Sequence, residues 1–174
     1  MKAKIVAFVC CIVFSAMAFA GGGGSSSGGG GGGGSASAVY TGTLNYKGSG
    51  GGFEVEASGP ITVTINGNMV TVSFVTEVDG KVSGTAPASA DGKSFIVPVK
   101  MTITSSGIKC TVEVIFNGTI TPTTASGPIS GKSSCVTGGA KGSLSISGNF
   151  NTTLSSSSRA LLGSGFSSSV TFGD

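Results

Sequence analysis

From Val39 to Phe172 apolar side chains recur at every second position, the period of a strand with one buried face. No comparable stretch carries the spacing of about 3.6 residues that an amphipathic helix needs. Thr, Val and Ile dominate the runs, while Gly, Ser, Asn and Pro punctuate them, the composition that a pleated, half-buried surface favours. The pattern predicts an all-β domain, an antiparallel meander of about ten short strands joined by tight turns. A meander closes into an up-and-down barrel or divides into a two-sheet β-sandwich, and closure removes the edges that a charge-poor sheet would otherwise present. The barrel is therefore the first expectation and the sandwich the second.

Because facing strands must put their apolar sets on one side, odd and even numbering constrains the hairpins. Ile61, Val63 and Ile65 are expected opposite Phe74, Val72 and Val70, with the turn at Gly67-Asn68; a turn at Asn66-Gly67, the stronger turn dipeptide, would pair Ile65 with Asn68 and ranks second. Phe95, Val97, Val99, Met101 and Ile103 are expected opposite Phe116, Val114, Val112, Cys110 and Ile108. Tyr46 and Leu44 are set against Phe53 and Val55 across a loop from Lys47 to Gly52. Phe150, Ile146 and Leu144 are set against Phe166, Val170 and Phe172. Finally, Pro122 suits the second position of a type I turn over Thr121 to Thr124, and reversal there faces Phe116 with Ile129, Val114 with Gly131 and Cys110 with Cys135.

The chain ahead of this domain has a different character. Lys2 and Lys4 precede an apolar run from Ile5 to Phe14, and Ala18-Phe19-Ala20 offers small residues where signal peptidase requires them. The run is shorter than the roughly 20 residues of a membrane-spanning helix, so residues 1–20 read as a cleavable export signal and the mature chain is expected to carry no span. Cys10 and Cys11 fall inside the run, and Ala20 stands where a lipoprotein would need its acylated cysteine. Residues 21–38 form a Gly/Ser-rich linker, expected to behave as a random coil, and residues 39–174 the single domain. No strand precedes the glycines and no helix follows them, which argues against a phosphate-binding loop.

Charge narrows the function. The formal net charge of +3 includes Lys2 and Lys4, and removing them leaves eight basic and seven acidic residues, a balance of +1. No basic footprint for nucleic acid survives. With no His in the chain, a Ser nucleophile would need Lys as its base, and the nearest pairs, Ser133 beside Lys132 and Ser106 near Lys109, are chance proximities in a Ser-rich chain. Glu54 and Glu56 share a strand face, as paired catalytic carboxylates would, but that face is opposite to the one bearing Phe53 and Val55. Asp79-Gly80 and Asp91-Gly92 read as turns, and two mature cysteines without His are too few for a zinc site. Asn117-Gly118-Thr119 and Asn151-Thr152-Thr153 match the N-glycosylation pattern. The sequence therefore predicts a protein that is not an enzyme and needs no cofactor or metal.

The inward set includes Tyr46, Phe53, Phe74, Phe95, Met101, Phe116, Phe150 and Phe166. These residues are either a plain packed core or the lining of a cavity, since barrels of about eight strands can hold one small ligand. Export favours oxidised thiols, so Cys110 and Cys135 are expected to form a disulfide.

Signal, hairpin meander and apolar interior together resemble the calycin group of lipocalin-like exported barrels. The group's G-x-W motif corresponds to Gly42-Thr43-Leu44, with Leu in the Trp position. The resemblance implies a small apolar molecule bound inside the barrel, and it assigns no individual binding residue. The first functional expectation is thus an exported ligand-binding module, periplasmic, cell-surface or extracellular. A structural or adhesive module working through its Thr/Ser-rich exterior is the second, and an outer-membrane barrel with its apolar face toward lipid is the third.

Overall fold

The computed structural model describes residues 37–51, 53–76, 80–105, 108–138 and 140–157. They form eight antiparallel strands: β1 (Ser37–Gly50), β2 (Phe53–Asn66), β3 (Met69–Thr76), β4 (Gly80–Pro87), β5 (Ser94–Ser105), β6 (Ile108–Ile120), β7 (Thr124–Thr137) and β8 (Ala140–Ser157). The sheet runs β4-β3-β2-β1-β8-β7-β6-β5, so the first and last strands pair and the meander wraps into a nearly closed barrel. At the seam, β4 and β5 meet through an isolated bridge between Ala88 and Phe95, and Gly84 abuts the carbonyl of Pro98. Pro98 cannot donate to a ladder, which suits an edge strand. The barrel expectation holds over the sandwich.

Alternation places the apolar set inward. Tyr40, Leu44, Tyr46, Ile61, Val63, Val72, Val97, Val112, Ile129 and Ile146 are buried, while their strand neighbours, apart from the buried Ser73, are exposed or half-buried. Four phenylalanine rings run across the interior, with centroid separations of 5.9 Å for Phe74–Phe116, 5.8 Å for Phe116–Phe150 and 6.0 Å for Phe150–Phe95. These tilted rings bridge four strands and fill the space that closure creates.

Two expected registers are observed. Ile65 faces Val70 and Ile61 faces Phe74, with Gly67 at φ 58° in the turn. Phe116 faces Ile129, Val114 faces Gly131 and Cys110 faces Cys135. The turn at the end of β6 is held by the Thr121 hydroxyl, whose Oγ1 accepts from the backbone N–H of Thr124 at 2.9 Å.

Two others are corrected, each by an even number of residues. Phe95 faces Gly118, not Phe116, and the shift of two carries Val97 to Phe116, Met101 to Val112 and Ile103 to Cys110. The reason is volume: the Phe95 ring occupies the place a Cβ on residue 118 would take. Tyr46 faces Ala57, not Phe53, because β1 continues to Gly50 and only Gly51 and Gly52 separate it from β2, with Gly51 at φ 60°. Gly48 and Gly50 therefore lie within a strand, and Gly50 lets the backbone approach the carbonyl of Ser143.

The expected partner of β8, residues 162–172, lies outside the described residues, but both edges of β8 are already occupied. Phe150 faces Leu44 on β1 and Gly127 on β7, so the pairing of Phe150 with Phe166 has no edge available. Among the described residues the strands number eight, and one expected break is absent. Gly59-Pro60 does not break β2, since Pro60 points outward opposite Thr43 and leaves the inward row intact. The strands are also longer than expected, 14 residues in β1 and 18 in β8, so shortness cannot exclude a membrane barrel. Orientation bears on that choice instead: the buried set is apolar, and the outward set is mostly polar, with Met69, Val75, Ile96, Ile115, Val136 and Leu154 as its exposed apolar members.

Candidate functional site: a filled interior and a polar exterior

Of the residues expected to line a cavity, Tyr46, Phe74, Phe95, Met101, Phe116 and Phe150 are buried together in one core cluster. Phe53 opens β2 opposite Gly50, and Phe166 lies outside the described residues. The space bounded by Leu44, Tyr46, Phe74, Met101, Val112 and Phe116 has a volume of about 20 Å³. That is room for about one water molecule. Burial pushes the Tyr46 phenol far above its ordinary range, so it stays protonated, and it raises Tyr40 in the same direction. Tyr40 donates from its hydroxyl to the carbonyl of Thr121 at 3.0 Å, closing one end of the barrel. Thr152, buried on β8, donates to the carbonyl of Ala125. The core's polar atoms are thus occupied in structure, as burial requires.

Cys110 and Cys135 are bonded, with Cα atoms 4.0 Å apart. They lie on the inward face of β6 and β7, both about 1% exposed.

Outside, a groove of about 470 Å³ crosses β2, β1 and β8. Its polar walls come from Asn45 and Lys47 on β1, Glu56 and Ser58 on β2, and Ser147 and Asn149 on β8. Asn45 stands between Asn149 and Ser58 in one cross-strand row, and Lys47 between Ser147 and Glu56 in the next. Lys47 reaches Glu54 at 3.0 Å and Glu56 at 3.6 Å. The hydrogen bond to Glu54, with the charges of both glutamates, holds the Lys47 ammonium above its usual range, so it is a cation here and no base. The groove can offer amide, hydroxyl and ionic groups to a polar partner.

Above it, Thr124, Thr153, Thr41 and Thr62 are successive cross-strand partners, a row of hydroxyls running over four strands that continues through the buried Ser73 to Ser83. Asn117 and Asn151, the glycosylation-pattern residues, are both exposed on this exterior.

The structure separates what chance had placed together in sequence. Ser133 is fully buried on the inward face while Lys132 points outward, and Ser106 lies outside the described residues. Glu54 and Glu56 are both exposed, their expected face. Asp91 accepts from the Ser89 hydroxyl and from the backbone N–H of Lys93 at 3.0 Å, with Gly92 at φ 67°, which makes it a turn residue. Among the described residues no cluster of His, Cys, Asp or Glu is placed to hold a metal ion. The groove was not legible in the sequence, because Asn45 and Asn149 become neighbours only when the last strand closes on the first. No protein-family model and no curated protein matches the chain.

Proposed function

We propose that this protein is an exported, non-enzymatic β-barrel module that acts through its polar exterior, as a structural or adhesive component at a cell surface or outside the cell. The observation that carries the reading is the packed interior among the described residues. The space among the aromatic residues is about 20 Å³, whereas small-molecule pockets run from about 300 Å³ upward. A lipocalin-like role, with an apolar guest held by Tyr46, Phe74 and Phe116, would require those rings to move apart. The outer face, polar at most of its positions, supports an aqueous setting over a lipid-facing barrel. The signal-like residues 1–20 and the Cys110–Cys135 bond support export.

The test is a titration of the secreted protein with an apolar fluorescent probe such as N-phenyl-1-naphthylamine. The expected result is no saturable signal from the native protein, which stays monodisperse without detergent. The Phe116→Ala variant, which opens space in the core, serves as the positive control. Saturable one-to-one binding by the native protein would restore the ligand-carrier reading, and a requirement for detergent would restore the membrane barrel.

A further inference from the structure

The corrected register brings together residues far apart in the chain, on the outer face of β5 to β8 near the end of the barrel that holds the β5–β6 and β7–β8 turns. Thr102, Thr111, Ser134 and Ser143 are successive cross-strand partners, a row of four hydroxyls. On one side of it runs the row Lys100, Glu113, Lys132, Ser145, and on the other Thr104, Lys109, Val136, Lys141. Four lysines thus stand around one hydroxyl row, with Glu113 the single acid in the three rows, a local balance of +3. Glu113 is spent on Lys100 at 2.8 Å and Lys132 at 3.7 Å. Among the described residues Lys109 and Lys141 make no ion pair, and both are exposed. Neighbouring strands lie about 4.8 Å apart and alternate residues along a strand about 6.7 Å, so the cations frame a field roughly 14 Å wide.

We infer that this face binds an anionic polysaccharide, a chain bearing sulfate or similar permanently charged ester groups, with Lys109 and Lys141 as the main anchors. The inference rests on the reading that the exterior is the working surface. Three features select the occupant. The excess positive charge is local, against a balance of only +1 for residues 21–174, so it marks one face and not the molecule. Hydroxyls lie between the cations, which suits a ligand carrying both charge and hydroxyl groups. A lipid surface would call for apolar side chains to insert, and in these rows Val136 is the only such residue. Long lysine side chains need no preformed pocket for this, because a polymer is held by several weak contacts at once.

The experiment measures retention of the secreted protein on immobilised dextran sulfate, unsulfated dextran and vesicles containing phosphatidylglycerol, each with rising sodium chloride. Retention on dextran sulfate alone, released by salt, is expected. The Lys109→Glu/Lys141→Glu variant should bind at least tenfold more weakly, and Lys109→Arg/Lys141→Arg should bind as the parent does. Lys93→Glu, on the β4–β5 connection far from the field, should change nothing. The melting temperature of each variant, read alongside, separates lost binding from lost fold; should the double Glu variant unfold, Lys109→Gln/Lys141→Gln replaces it. Equal loss on Lys93→Glu, or undiminished binding by the folded double variant, overturns the assignment. Stronger retention on vesicles overturns the choice of polysaccharide. A saturable signal in the apolar-probe titration would instead sink the exterior reading itself, so the two failures are distinguishable.

Discussion

The ring of Phe95 on β5 covers Gly118, its register partner on β6, and fills the volume that any side chain at position 118 would need. Glycine is depleted from strands because it leaves a hole and costs chain entropy, and here an aromatic ring from the next strand covers that hole. The pair also marks the end of the aromatic row, since Phe95 stacks on Phe150 and Phe150 on Phe116.

Gly118→Ala should therefore destabilise the fold by about 1–3 kcal/mol, the usual cost of overpacking a close-packed core. Chemical denaturation checks this, and Phe95→Leu introduced beside Gly118→Ala should recover part of the loss. An unchanged midpoint in the single variant would show that the ring does not hold that register.

Reduction of the Cys110–Cys135 bond has a calculable effect. It joins residues 25 apart in sequence, and the chain-entropy model assigns such a crosslink about 3–4 kcal/mol. Replacing both cysteines by Ser should lower the denaturant midpoint accordingly without changing the strand content seen by circular dichroism. Mass spectrometry after alkylation under denaturing, non-reducing conditions should find no free thiol at either position, and two alkylated cysteines would contradict the pairing.

The acid limb of stability should depend on Glu113. The hydrogen bond from Lys100, its charge and the smaller effect of Lys132 hold this carboxyl below its ordinary value of 4.5. A carboxyl with a lowered folded pKa adds stability that is complete above 4.5 and is lost as pH falls through the folded value. Glu113→Gln should flatten the stability profile in that acid window and leave the neutral-pH fold intact. Identical acid profiles for parent and variant would show that the pair contributes nothing to folding, the common outcome for exposed ion pairs.

At the alkaline end the two tyrosines of the chain, Tyr40 and Tyr46, should resist ionisation. Burial raises both, Tyr46 the more, so the stabilisation is complete below the ordinary value of 10.0 and disappears as pH rises through the folded values. Phenolate absorbance near 295 nm should appear together with loss of β-sheet circular dichroism. A phenolate signal preceding unfolding would place Tyr46 in contact with water.

The alternation of side chains along the chain determined by itself which residues face inward, because a strand's period of two admits only two faces and burial selects one. Tyr46, Phe74, Phe95, Met101, Phe116 and Phe150, read as inward that way, are inward in the fold. Register was legible where turn chemistry and the apolar match agreed on one pairing. Gly67 and Pro122 each supply a backbone geometry that few turns accept, and the hairpins beside them are as expected. Across Lys47 to Gly52 and beside Ser106-Gly107 several turns were chemically equal, and shifts of four and two residues preserve the face. Hydrophobic pattern cannot see an even shift. Volume decided those cases, setting Phe95 against Gly118 and Tyr46 against Ala57, large against small, as a closed barrel of fixed circumference requires. Tertiary structure alone decided the pairing of β8 with β1, and with it the exterior groove, because no local signal relates residues 45 and 149. The volume left inside was likewise set by closure, a sum over all eight strands that no single strand encodes.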